Sequence, residues 1–178
     1  MALCGIGGWT DMTSNTPPLE VLTVPKAFAL TLETACKDFE VLQRLIANEL
    51  KIVASDGRED HFGAGSIRMA LAKSFVFHVA RAHRICHQGQ SELAVSELEC
   101  TTFKAATAAV VGVRHVNEHG FDVTRNWSKP SLHINDEGTA FVDELSLEVT
   151  GVRKIRMGPI DLCDVYVSTD RMRGLAGF

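Results

Sequence analysis

The chain has 178 residues, 46% of them hydrophobic and 22% charged, with a formal net charge of −4. That length suits one domain with an ordinary core, and that balance is globular rather than disordered. The acidic charge excludes a global attraction for nucleic acid, so any phosphate-binding surface must come from a local cluster of arginines.

Residues 1 to 24, rich in Gly, Thr, Ser and Pro, read as an irregular lead-in whose Trp9 docks on the core. They lack the basic and long apolar regions of a signal peptide. No run approaches the roughly 18 apolar residues that a membrane span needs. Five scattered cysteines without a C-x-x-C pattern (Cys4, Cys36, Cys86, Cys100 and Cys163) fit reduced thiols. The expectation is a cytoplasmic protein with no membrane partner. There is no internal repeat or linker, so residues 1 to 178 are read as a single domain.

A first helix is predicted from Pro25 to Val53, where Leu32, Cys36, Phe39, Leu42, Ile46, Leu50 and Val53 recur at spacings of three and four. Ser55-Asp56-Gly57 closes it. Gly63-Ala64-Gly65-Ser66 reads as a turn whose amides could face an anion. A second helix follows from Ser66 to His87 on the stripe Ile67, Leu71, Phe75, Val79, Ala82 and Cys86, with Gly89 as its stop. Ser91 caps a third, which runs to His119 through Val95, Leu98, Phe103, Ala106, Val110 and Val113. The short connection makes helices two and three antiparallel neighbours.

Gly120 to Pro130, with Arg125 and Trp127, reads as a loop. From 131 to 157 a β-hairpin insertion is predicted. Leu145, Leu147 and Val149 alternate, Thr150-Gly151 turns, and Ile155 and Met157 alternate again. A helical spacing through Phe141, Leu145, Val149 and Val152 competes with this, but Gly151 would weaken that helix. Gly158-Pro159 and Asp161 then open a last helix on the stripe Leu162, Val165, Thr169, Met172 and Ala176. The expected fold is mainly α, an antiparallel four-helix bundle with a β-hairpin inserted before the last helix.

Few residues offer chemistry. His83 and His87, and His115 and His119, are spaced by four, which places each pair on one helix face as a metal site would need. His87 ends helix two and His115 lies near the far end of helix three, a helix of more than 20 residues, so the pairs stand roughly 35 Å apart within one chain. They therefore read as surface or cap histidines, with no metal and no cofactor expected. His78 lies near the apolar stripe and reads as a core or boundary residue. Cys86 sits in that stripe and reads as core rather than as a nucleophile. Glu40, Glu49, Glu97 and Glu99 sit on polar faces and need no special role. There is no G-x-S-x-G elbow, Walker loop or G-x-G-x-x-G.

What remains is Arg114-His115-Val116-Asn117-Glu118-His119-Gly120, which gathers a cation, two imidazoles, an amide and a carboxylate at the predicted end of helix three. An Arg followed after four residues by His, with a polar neighbour and on a helical domain, resembles the Arg-x(4–6)-His motif of the HEPN superfamily. Arg81 and His87 match the same spacing. The resemblance covers about 100 residues of helical core, and the hairpin is a departure from it. It implies a HEPN-like domain that forms a homodimer, with RNA as substrate and an antitoxin protein as partner in toxin or defence systems. It also implies metal-independent endoribonuclease chemistry. His119 would move a proton to or from the 2′-hydroxyl or the leaving oxygen. Arg114 would hold the scissile phosphate, and His115, Asn117 and Glu118 would support them. A surface ion pair between Arg114 and Glu118 competes with that reading. The alternative function is a non-catalytic helical interaction domain, or one that binds a small ligand or nucleotide. A metal-dependent bundle using the paired histidines is the third.

Overall fold

Pro25 and a run of apolar residues at helical spacing build α1 (Val24–Ile46), where Phe28, Leu32, Ala35, Phe39, Leu42 and Leu45 are buried. The structure, a computed structural model, describes residues 22–53, 55–119, 132–134, 140–142 and 147–177. It leaves out the side chains of residues 61, 62, 115–119, 132–134 and 140–142. Residues 1–21 of the lead-in, with Trp9, and the loop from Gly120 to Pro130, with Arg125 and Trp127, lie outside the described residues.

α1 stops at Ile46, short of the predicted Val53. Asn48 takes a left-handed φ of 59°. The Glu49 amide then reaches back to the Arg44 carbonyl at 2.9 Å and the Asn48 amide to that of Leu45 at 3.4 Å, the 6→1 and 5→2 pattern of a Schellman end. Beyond it the chain doubles back, with Val53 bridged to Glu59 and 57% exposed. The stripe holds as far as Ile46, which packs on the core; Leu50 and Val53 continue its spacing by coincidence.

α2 (His61–Gln88) starts earlier than Ser66 because Asp60 caps it, accepting the Gly63 amide at 2.8 Å. Gly63 is required there, since a Cβ on it would fall 2.3 Å from the Asp60 carboxylate. The predicted turn Gly63–Ser66 is therefore helix. Its first amides are already bonded, Gly63 to the Asp60 side chain and Ala64 to the Asp60 carbonyl, which removes the anion-facing role. Gly89 ends α2 as expected, its amide bonded to the Ile85 carbonyl at 2.8 Å. Val24 packs so close that a Cβ on Gly89 would meet it at 2.7 Å.

Ser91 does not cap the third helix. It lies in a 3-10 turn (Gln90–Glu92). α3 (Glu97–His119) begins after Ser96, whose hydroxyl accepts the Glu99 amide at 3.2 Å. The buried stripe of α3 is Cys100, Phe103, Thr107, Val110 and Val113, while Leu98, placed on the predicted stripe, is 74% exposed.

β1 (Leu132–Ile134) and β2 (Ala140–Val142) pair antiparallel as a first hairpin. β3 (Leu147–Gly151) and β4 (Lys154–Met157) make the second, matching the alternation read at 147 to 157. Its turn is Val152-Arg153 rather than Thr150-Gly151, and Thr150 is the extra residue of a bulge between Val149 and Gly151. β4 alternates exposed Lys154 and Arg156 with Ile155 and Met157, both 0% exposed. Gly158, at φ 56°, and Pro159 turn the chain into β5 (Ile160–Asp161), which completes a three-stranded sheet. Asp161 then caps α4 (Leu162–Leu175), accepting the Cys163 amide at 2.8 Å. Leu162, Val165, Thr169 and Met172 are its buried stripe, as predicted. Val165-Tyr166-Val167 is helical despite its strand propensity, because Val165 falls on that stripe and Tyr166 packs on the core.

The described chain is thus mainly helical, with four α-helices and a small antiparallel sheet before the last of them. Neighbouring helices run antiparallel, as rising residue numbers on one meet falling numbers on the other. Asp38 meets Ser74 where Leu45 meets Arg68 (α1–α2). Cys100 meets Cys86, Thr107 meets His83, and Arg114 meets Phe77 (α2–α3). Glu33 meets Arg173 and Glu40 meets Tyr166 (α1–α4). Two apolar clusters fill the interior. One is built round Phe39, Phe75, Val79, Ile155 and Leu162, the other round Phe28, Leu32, Cys86 and Phe103. Among the described residues no helix is long and apolar enough to cross a membrane.

Candidate functional site

Val110 and Val113 anchor the later half of α3 in the core, which leaves Arg114, the next residue, at the boundary between core and solvent. Its guanidinium carbon lies 5.0 Å from the centre of the Phe77 ring on α2, a cation–π contact. Phe77 in turn meets the His78 ring edge-on at 5.3 Å. His78 is half-buried, as expected of a boundary residue, and its Nδ1 is buried with no hydrogen-bond partner among the described residues. Burial holds its pKa below the ordinary histidine value, with the Asp38 charge opposing and Arg81 reinforcing that shift.

α3 continues unbroken through His115, Asn117, Glu118 and His119. These four and Arg114 therefore share the last turns of one helix, although the side chains after Arg114 lie outside the described residues. Backbone geometry still limits what one copy can do. Positions 114 and 119 are about 140° apart round the helix and about 7.5 Å apart along it, whereas 114 and 118 are only about 40° apart.

The other histidines serve elsewhere. His83 Nδ1 sits 2.9 Å from the Thr107 hydroxyl, which itself donates to the Phe103 carbonyl at 2.7 Å. That hydroxyl must therefore accept from His83. Burial, with help from His87 and Lys104, lowers the His83 pKa. Among the described residues no three His, Cys, Asp or Glu side chains are grouped to hold a metal ion. Cys86 is 0% exposed and its thiol points at the Cys100 carbonyl. Burial pushes that thiol up to about 12, so it is core, as read. Cys36, Cys86, Cys100 and Cys163 are free thiols.

Two features escaped the sequence reading. One is Phe77 under Arg114; an aromatic residue off the apolar stripe of α2 was the available signal. The other is a polar knot between α1 and α4. Arg173 reaches Glu33 at 3.3 Å, Glu40 at 3.4 Å and Asp170 at 2.5 Å, and the Tyr166 hydroxyl donates to Glu40 at 3.1 Å. Glu40, read as needing no role, is thus a partner across helices. A shallow groove between α3 and α4 is lined by Thr102, Phe103, Val167, Met172 and Leu175, with the Glu99–Arg171 ion pair (2.9 Å) at its edge.

The arrangement offers a cation on an aromatic support and, on the same helix end, positions for two imidazoles. Comparison with known proteins finds no matching family, no matching curated protein and no matching solved structure.

Proposed function

We propose that the protein is a HEPN-like, metal-independent endoribonuclease of toxin or defence type, and that its four helices form an antiparallel bundle which acts as a homodimer. Arg114 binds the scissile phosphate and His119 transfers the proton, with His115, Asn117 and Glu118 in support. The observation that carries this reading is the position of Arg114. Its charge is propped on Phe77 at the boundary between core and solvent, and α3 runs on from it to His119 without a break.

The angle between positions 114 and 119 favours a cleft built by two copies, in which Arg114 of one chain works with His119 of the other. The electrostatic logic agrees, since pairing doubles the local positive charge that a single acidic chain lacks. RNA is the substrate, and an antitoxin protein that covers the cleft is the natural partner.

The test is cleavage of a labelled single-stranded RNA in EDTA. Wild type should cut it and leave 2′,3′-cyclic phosphate ends, the product of 2′-hydroxyl attack. His119→Ala should lose about 10²–10⁴-fold in rate. Cleavage that persists unchanged in His119→Ala would reject the assignment.

A second reading, a non-catalytic interaction or small-ligand domain, draws on the groove between α3 and α4, where Val167 is 67% and Leu175 44% exposed. Intact RNA with wild-type protein would favour it.

A further inference from the structure

α2 carries four Lys or Arg residues and no Asp or Glu over its 28 residues, in a chain whose net charge is −4. Three of those cations and one ring recur along a single face. Lys73, Phe77, Arg81 and Arg84 are spaced by four, four and three, within about 80° of one another round the helix and over about 16 Å of its length. Arg81 and Arg84 are exposed, Lys73 is half-exposed, and Phe77 is 38% exposed.

Six other described cations are each paired with a carboxylate. Lys37 pairs with Glu33, Arg44 with Glu49, Lys51 with Glu59, Arg58 with Asp56, Arg171 with Glu99, and Arg173 with three acids. Lys73, Arg81 and Arg84 make no ion pair among the described residues. Asp38 of α1 accepts the Ser74 hydroxyl of α2 at 2.7 Å.

We infer that this face of α2 is a binding track for single-stranded RNA, along which Lys73, Arg81 and Arg84 contact successive phosphates while a base stacks at Phe77. The inference deepens the ribonuclease reading and rests on its choice of RNA. The track leads to the proposed site, because Arg114 lies over the same Phe77 ring. Cations interleaved with an aromatic ring are what a single strand recognises, since each phosphate needs a charge and each unpaired base offers a π face. A membrane fits less well. The apolar side of α2 is already spent in the core, with Phe75, Val79, Ala82 and Cys86 all 0% exposed, which leaves nothing to insert.

The experiment measures binding apart from cleavage. Fluorescence anisotropy with a labelled uridine 16-mer is recorded in EDTA on the His119→Ala protein, across a salt series. The parent should bind, with affinity falling steeply as salt rises. Adding Lys73→Gln, Arg81→Gln and Arg84→Gln together should weaken binding at least tenfold. It should also flatten the log–log salt slope by about 2, at roughly 0.7 for each phosphate no longer engaged. Phe77→Leu should weaken binding roughly tenfold with the slope unchanged. Lys37→Gln with Arg58→Gln, cations already paired elsewhere, should have no effect. Arg84→Glu alone provides the same test at one exposed position if the triple variant melts early.

Equal binding by parent and triple variant, or binding to phosphatidylserine vesicles or polyglutamate but not RNA, overturns the track. Wild-type cleavage combined with unchanged binding in the triple variant sinks the track alone. Binding lost in the triple variant, with no cleavage by wild type, sinks the catalytic assignment alone.

Discussion

At the scale of single residues, the chemistry depends on how burial tunes each histidine. His78 and His83 both have pKa values held below 6.5, mainly because burial disfavours the charged ring. The folded state therefore resists protons that the unfolded chain accepts. The stability this contributes is fully present above about pH 6.5 and is lost as pH falls through the lowered folded values. Urea unfolding at about pH 7.5 and about pH 5 should show a lower midpoint at the acid end. The His78→Gln, His83→Gln double variant should lessen the drop. A wild-type midpoint that does not move would contradict the burial account. Arg114, also half-buried, rests instead on the Phe77 ring.

At the scale of elements, two aspartates set where helices begin. Asp60 accepts the Gly63 amide and Asp161 the Cys163 amide, each at 2.8 Å. Asp60→Ala and Asp161→Ala should each cost about 1 kcal/mol in chemical denaturation, and Asp60→Asn should recover most of that loss. An Asp60→Ala protein as stable as wild type would show that the cap does not fix the start of α2. These ends also mark what was legible in the sequence. The stripes of α1, of α2 from Leu71 onward and of α4 could be read because burial repeats with the helical period, whereas Ile67, placed on the α2 stripe, is exposed. The strands between Leu147 and Met157 could be read because apolar and polar residues alternate there, and in β4, the central strand, burial repeats every two residues. The ends were harder. Nothing local told Val53 from Leu42, since both continue the spacing, and the stop depends on Asn48 accepting a left-handed φ. Ser91 and Ser96 are both plausible caps, and the 3-10 turn decides between them. Of the candidate site, Arg114 and its helix were legible and Phe77 was not. Its place off the α2 stripe sets it apart from the core, but spacing along one helix does not say which residue of another helix will cover it.

At the scale of the whole molecule, charge is sorted between faces. Acids gather round Arg173 between α1 and α4, while the solvent side of α2 carries cations and no acid. A protein of net charge −4 thereby keeps one surface suited to phosphates. The same scale raises the question of how Arg114 and His119, about 140° apart on one helix, could meet at one phosphate. Two copies answer it, and mixing defective proteins tests that answer most directly. Arg114→Ala and His119→Ala should each be inactive on single-stranded RNA in EDTA. Mixed in equal amounts and allowed to exchange subunits, they should recover up to about a quarter of wild-type cleavage, because half the dimers then hold one intact Arg114–His119 pair. A mixture as inactive as its components would contradict the shared cleft, and full activity in either single variant would contradict the site itself.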